Sequence, residues 1–342
     1  MKRIGIKDVA AAAGVSATTV SHILNEVEGK RINPETRATV IRVARDLGYR
    51  PNSLARGLRT SRTYTVGFIG DEIATTPHAG QIIQGAQDAG TERGLLLLML
   101  NTGGDPELER KAITLLVQHG VDGILYASMY HRVVQVPPPL RSVPTILVDA
   151  SAQDSAVPSV VPDEEQGGLT ATRELLAHGH RRIGFVTNTD DIPASRGRLA
   201  GYRAALAEGG IGFDPALVVA DRSDAPGGHR AARALLASAN RPTALFCFND
   251  RMAMGAYRAA AELGLAIPAD VSVIGFDNQE LISENLHPAL STVALPHYGM
   301  GARAIELLQA LIDTPDTAGP ALQEVLHCPL VARDSIAPPP RS

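Results

Sequence analysis

Tryptophan is absent from the chain, and aromatic residues make up only 4% of its 342 positions. Stacking onto a flat ligand must therefore come from tyrosine, phenylalanine or histidine. Cysteine is almost absent too. Cys247 and Cys328 lie far apart, so they write neither a disulfide framework nor a zinc spacing, and two buried thiols in a reducing compartment are expected. No apolar run is long enough to span a bilayer. The longest, LLLLML at 95–100, suits a strand buried on both faces. The opening MKRIGIKDV is basic but leads into no apolar segment of the signal-peptide kind, so a cytoplasmic protein without a membrane partner is expected. There is no Walker loop and no nucleophile elbow, and Gly103-Gly104 runs into Asp105-Pro106 rather than a dinucleotide fingerprint. Catalysis, a bound metal and a cofactor are accordingly not expected.

What is present is uneven. The net charge of −4 conceals a basic head: residues 1–62 hold twelve Lys+Arg against five Asp+Glu, net +7, while the remainder holds 20 against 31, net −11. A basic head on an acidic body predicts a polyanionic partner for the head alone. The stretch IKDVAAAAGVSATTVSHILN, 6–25, reads as two short helices around a tight turn. Ala10 permits close helix approach, Gly14 can adopt the left-handed conformation that ends a helix, and Ser16 stands where an N-cap is wanted. Val9, Val15, Val20 and Leu24 supply a seam, which leaves Ala17, Thr18 and His22 on the outer face of the second helix. That layout is a helix-turn-helix, whose second helix enters the DNA major groove; an ordinary helical hairpin is the plainer alternative.

A third helix follows. Asn33 can cap it, Pro34 suits its first position, and Val40, Ile41, Ala44 and Leu47 recur at helical spacing up to Gly48. Next comes PNSLARGLR, 51–59, a helix of two turns at most, too short to stand alone in water. It is either a flexible linker or a segment that folds only against a partner and DNA.

The runs IKDVAAAAGVSATTVSHILN and NPETRATVIRVARDLGYRPNSLARGLRT together resemble, without a gap, the DNA-binding head of the lactose-repressor (LacI/GalR) family. The resemblance implies a double-stranded DNA operator, with Ala17, Thr18 and His22 reading bases and Ser16, Thr19, Ser21, Asn25 and Asn33 touching phosphates. It also implies a hinge helix paired across a dimer in the minor groove, with Leu58 as the wedge and Ala55 and Arg59 beside it. TTVSH resembles the purine-responsive branch of the family. A hydroxyl and methyl on Thr18 and a ring nitrogen on His22 suit base edges, and a guanidinium at Arg59 suits a narrow minor groove. His22 as a solvated surface residue and Leu58 as hinge packing remain the alternatives.

From residue 63 onward β-rich runs alternate with helical stretches: strands at 64–69, 95–100, 123–127, 145–149, 183–187, 217–220, 244–248 and 271–276, with helices between. The alternation predicts an α/β fold with parallel sheets, in two series divided near Pro162. GHRRIGFV, GRLAGYRAAL, RPTALFCFNDRMAMGA and LGLAIPADVSVIGFDN extend the family resemblance over nearly the whole chain. It implies a two-lobed core of the type I periplasmic-binding-protein kind with three crossovers. The expected organisation is a head at 1–50, a hinge at 51–62, a first lobe at 63–162 plus about 291–323, a second lobe at 163–290 plus about 324–336, and a disordered tail at 337–342.

Ligands of parallel sheets bind off the carboxyl ends of strands. There stand Asp71, Tyr126, Ser128, Asp163, Arg198, Asn249, Asp250 and Asp277. Of these the resemblance places Arg198, Asn249 and Asp277 on effector-contacting positions, and the chemistry suits a polyol: Asp277 accepts from neighbouring hydroxyls and Arg198 donates a fork. A cleft salt bridge for Arg198 and N-caps for Asn249, Asp250 and Asp163 are the structural alternatives. In the family the loop after the first strand commonly carries an aromatic; here His78 and Ala79 stand at that place. Tyr126, Tyr130, Phe246 and Phe276 are then the candidates for stacking, each otherwise a core residue. The expectation is a nucleoid-associated regulator, switched by a sugar, that binds a palindromic operator as a homodimer. The tail APPPRS lacks the leucine heptad that makes tetramers in some family members. A purine or nucleoside effector is the alternative. A transporter's solute-binding protein would need a signal peptide and no basic head.

Overall fold

The computed structural model describes residues 4–24, 32–49, 62–72, 80–154, 157–314 and 323–340. The chain divides into two units, residues 1–63 and 64–342.

The head consists of α1 (Ile6–Ala13), α2 (Ala17–Leu24) and α3 (Pro34–Asp46). Gly14 ends α1 with φ +67°, the left-handed turn that only glycine adopts without cost. Ser16 then caps α2, its Oγ accepting from the Thr19 N–H at 3.0 Å, and Asn33 Oδ1 caps α3 through the Glu35 N–H at 2.9 Å. Val9, Ala10, Val20, Ile23, Val40 and Ala44 form the core. Two details differ from the expected stripes. Ile23 joins Val20 as a fully buried residue of α2 while Leu24 is only partly buried, and Ile41 and Leu47 face outward, 41% and 37% exposed. A 100° step per residue carries α3's buried face along 40, 43 and 44, so position 41 turns away.

The second unit holds two six-stranded sheets. Sheet one runs β11-β5-β4-β3-β1-β2, and sheet two runs β12-β10-β9-β8-β6-β7. Sheet one comprises β1 (Thr65–Gly70), β2 (Leu96–Asn101), β3 (Gly123–Val134), β4 (Thr145–Ala152), β5 (Ser159–Pro162) and β11 (Gln323–Leu326), with α4 (Gly80–Glu92) and α5 (Pro106–Gln118) between its strands. Sheet two comprises β6 (Ile183–Asn188), β7 (Val218–Asp221), β8 (Ala244–Cys247), β9 (Ser272–Asp277), β10 (Ser291–Ala294) and β12 (Leu330–Val331). Its helices are α6 (Glu164–Ala177), α7 (Pro193–Glu208), α8 (Ala225–Leu236), α9 (Asp250–Glu262) and the short α10 (Glu280–Ser283). All described pairings are parallel except β10 with β12.

The chain passes between lobes at Pro162–Asp163, between β10 and α11 (His297–Asp313), and between β11 and β12. This corrects the expected boundaries. Residues 291–294 belong to the second lobe, because β10 continues its parallel ladder with Ser291 opposite Ile274. Residues 323–326 belong to the first, with Gln323 opposite Ser159. The helix α11, which packs on α4, is what returns the chain. Strand β2 is not buried on both faces: it is the sheet's edge, with Leu96 60% and Met99 46% exposed. Nor is the tail disordered where it is described. The Ala337 N–H donates to Ser272 Oγ at 3.0 Å, and its carbonyl lies 2.9 Å from His180 Nε2. His180 is buried and spans to Thr243 Oγ1 with its other nitrogen, so these bonds fasten the segment to sheet two. Cys247 and Cys328 are buried free thiols.

Candidate functional site

Two surfaces carry the candidate residues, one in each unit. In the head, α2 exposes Thr18, while His22 and Ala17 are half-buried. The methyl of Ala17 packs on the head's core; Thr18 and His22 share a face one turn apart, with Thr18 the exposed member. Ser16 and Thr19 lie at the amino end of α2, their hydroxyls 2.9 Å apart; backbone N–H groups and hydroxyls gathered there suit a phosphate. Ser21 is half-buried. Asn33 spends its Oδ1 on the α3 cap. Asn25, Ala55, Leu58, Arg59 and nearly all of the expected hinge lie outside the described residues, as does His78 of the core.

In the core, the carboxyl ends of both sheets bring charged groups together. Arg198 is 3% exposed. Its Nε donates to Glu164 Oε2 at 2.7 Å, its Nη1 donates to the Phe248 carbonyl, and Asp277 Oδ1 lies 3.5 Å away. The guanidinium stacks on Phe276, 3.7 Å from the ring centroid, and on Phe248 at 4.4 Å. Glycine sets this geometry. A Cβ on Gly168 would strike the backbone of Arg198, and one on Gly201 would strike the Glu165 carbonyl, so α6 and α7 approach closely enough to seat Arg198 over Glu164. Burial opposes the charge of Arg198, but Glu164 and Asp277 outweigh it and raise its pKa. Burial also raises Glu164, with Arg198 pulling the other way.

Sequence reasoning missed two members of this cluster. Asp149, 2% exposed near the end of β4, has an Oδ1 without a hydrogen-bond partner, and burial holds its carboxyl well above the usual range, reinforced by Glu164. It meets the strand-end criterion that selected Asp277, so the signal was available. Both residues hold positive φ, +52° and +101°, backbone states that persist only where the surroundings impose them. The other member, His131, could not be found, because β3 was expected to stop at 127. Instead β3 breaks register after Ala127 and resumes beside β4 with Arg132 opposite Ala150. This carries His131 over the cluster, its Nδ1 3.9 Å from Glu164 Oε1 and without a hydrogen bond.

Burial, then Arg198 and Arg196, lower the His131 pKa to about 4. A histidine lowered this way stabilises the fold above its unfolded pKa and loses that contribution as pH falls toward 4. The loss is about 2 kcal/mol at pH 5. Asp149 and Glu164, raised by burial, act in the opposite sense, so the comparison must be differential. His131→Gln is expected to show a smaller fall in melting temperature between pH 7 and pH 5 than the parent; equal falls would mean that His131 is not buried neutral.

The remaining expected residues divide. Asn249 caps α9 through the Met252 N–H at 2.8 Å and donates to the Ser223 carbonyl at 3.2 Å. Asp163 caps α6 through the Gln166 N–H at 2.9 Å. Asp250 is not a cap; it accepts from the Gln279 N–H and the Thr292 hydroxyl. Asp71 and Tyr126 line a separate cavity of about 270 Å³ in the first lobe. There Arg132 pairs with Asp71, and Tyr126 donates to Glu109 at 2.8 Å. A second cavity, about 310 Å³, lies between Tyr130 and the loops after β6 and β7.

Residues 5–52 match the signature described as bacterial regulatory proteins, lacI family, and residues 172–336 match a periplasmic binding protein-like domain. The HTH-type transcriptional repressor PurR of Vibrio atlanticus is 32% identical over 97% of this chain and 98% of its own. The ribose operon repressor of Haemophilus influenzae is 33% identical over 97% and 98%. The crystal structure of the lac repressor dimer bound to operator and the anti-inducer ONPF superposes with a TM-score of 0.79, at 26% identity over 98% of this chain and 100% of that one.

Proposed function

Because the chain belongs to the lacI family of bacterial regulatory proteins, we propose that it is a transcriptional repressor that binds a palindromic operator as a homodimer and is switched by a small sugar held between the lobes of its core. The observation that carries this reading is the pairing, in one chain, of a helix-turn-helix head with a strand-end cleft in the core. The cleft is rich in hydrogen-bonding charges, a chemistry suited to a polyol. The chain acts by binding rather than catalysis, and in the cytoplasm, on the nucleoid. Among the described residues no helix is long and apolar enough to cross a membrane.

Population shift is the mechanism we favour. A ligand that binds one angle between the lobes more tightly changes how readily two heads address one operator. A coupling of about 1–3 kcal/mol, a factor of roughly 5–150 in affinity, suffices. The hinge and its Leu58 wedge are part of this reading on sequence grounds.

The homodimer draws support from exposed apolar side chains on two faces: Leu96 and Met99 on the edge strand β2, and Met254 and Leu281 on α9 and α10. Leu281 is 74% exposed, so Leu281→Asp is expected to leave the fold intact. It should weaken the dimer in analytical ultracentrifugation and reduce operator affinity at low protein concentration. An unchanged sedimentation profile would remove α10 from the interface.

A purine effector is the second reading, favoured by the similarity to PurR. The two are separated by footprinting the full-length protein on its own upstream DNA with sugars or purines added. Sugar-dependent protection supports the first and purine-dependent protection the second.

A further inference from the structure

We propose that Tyr130 is the stacking platform of the effector cleft, and that the ligand it receives is one uncharged sugar ring; the proposal rests on the effector reading above and specifies its ligand. Tyr130 stands on the part of β3 that runs past the break after Ala127. The residue is 38% exposed and lines the cavity of about 310 Å³. The opposite wall comes from the second lobe: Asn188, Asp190, Arg222, Ser223 and Arg251.

Other aromatic rings are committed elsewhere. Phe185 stacks on Tyr202 and Phe246 inside the second lobe. Phe276 and Phe248 lie beneath Arg198. Tyr126 belongs to the other cavity, and the Tyr257 hydroxyl donates to the Pro288 carbonyl. Among the described residues, Tyr130 is the aromatic that meets this cavity. In a chain without tryptophan it supplies the flat apolar face against which the C–H face of a sugar ring rests.

Size and charge restrict the ligand. A cavity of about 310 Å³ lies at the small end of ligand pockets, which suits one ring rather than two. The wall is balanced in charge. Arg222 pairs with Asp224 at 3.0 Å, and Asp190 accepts from Asn188 at 3.4 Å. A phosphate entering here would meet Asp190 and Asp224 as well as Arg222 and Arg251, so the wall gives a second negative charge no net attraction, whereas hydroxyls can use donors and acceptors alike. One donor awaits a partner: the buried Arg251 Nε has no hydrogen bond. A purine gains most from apolar groups on both of its faces, and only one wall offers an aromatic ring.

The test is calorimetric titration of the full-length protein. The probes are neutral pentoses, hexoses, their methyl glycosides and hexitols, with glucose 6-phosphate, hypoxanthine and adenosine as counter-probes. At least one neutral sugar should bind. Tyr130→Ala should weaken it about tenfold or more without changing the melting temperature of the unliganded protein. Tyr130→Phe keeps the ring and should retain most of the affinity. Tyr130→Trp introduces the chain's sole tryptophan, whose emission should shift on saturation. Unchanged sugar affinity in Tyr130→Ala overturns the platform and leaves the effector reading standing. Binding confined to glucose 6-phosphate, hypoxanthine or adenosine overturns the uncharged sugar class. Binding of none of these probes, with operator affinity insensitive to all of them, overturns both the proposal and the reading beneath it.

Discussion

Arg198→Ala is expected to destabilise the core by about 3–5 kcal/mol, the usual cost of removing one partner from a buried ion pair. Glu164, Asp277 and Asp149 surround the guanidinium, each less than a tenth exposed. Without it, carboxylates remain in a site already hostile to negative charge, as the raised pKa values of Glu164 and Asp149 attest. The rings of Phe276 and Phe248 would also lose their cation. Since a folded domain's stability is only about 5–15 kcal/mol, the loss should lower the melting temperature by on the order of ten degrees. Arg198→Ala with Glu164→Gln should recover part of it, because one buried charge is removed with its partner. If Arg198 served only as a ligand contact, Arg198→Ala would leave the melting temperature unchanged and abolish the ligand response alone. For this reason Tyr130, not Arg198, is the residue at which recognition is best separated from folding.

The second large effect concerns selectivity for DNA. Thr18→Ala combined with His22→Ala truncates the two polar side chains that share this face of α2 while keeping its buried seam of Val20 and Ile23. Losing recognition of one base pair costs about 1–3 kcal/mol, and on the proposed two-fold operator the loss counts in both half-sites. The double variant is expected to lose at least a hundredfold of its preference for operator over random DNA. Its salt dependence should stay close to the parent's, because phosphate contacts set that slope. A steep loss of non-specific binding instead would place Thr18 and His22 on the backbone. Selection from a randomised operator library, read at each base pair, distinguishes the two.

Much of this architecture was legible because local chemistry and global fold agree. Gly14, Ser16 and Asn33 announced the head's helix ends, and β-α alternation announced two parallel sheets. What failed did so where pairing overrides local pattern. LLLLML reads as a buried strand, but nothing in its composition says which strand of the sheet stands at the edge. The return to the first lobe was assigned to the segment beginning at 291, yet β10 completes the second sheet before α11 leaves it. The continuation of β3 past Ala127 depends on Arg132, Val133 and Val134 regaining register with β4, a long-range pairing invisible to periodicity. That one difference decided the site. It brought His131 to Glu164 and put Tyr130 on the wall of one cavity, while Asp71 and Tyr126 line another. Asn249 and Asp163 turned out to cap helices, an alternative their positions had left open.

The most direct test of the central claim is the affinity of the full-length protein for its own operator, measured by fluorescence anisotropy with and without a saturating neutral sugar that binds the core. In the parent the affinity should change by roughly 5–150-fold, the span of ordinary allosteric coupling. At the same sugar concentration the change should be much reduced in Tyr130→Ala. Operator affinity identical in the presence and absence of every sugar that binds would contradict the claim, because cleft and head would then be uncoupled.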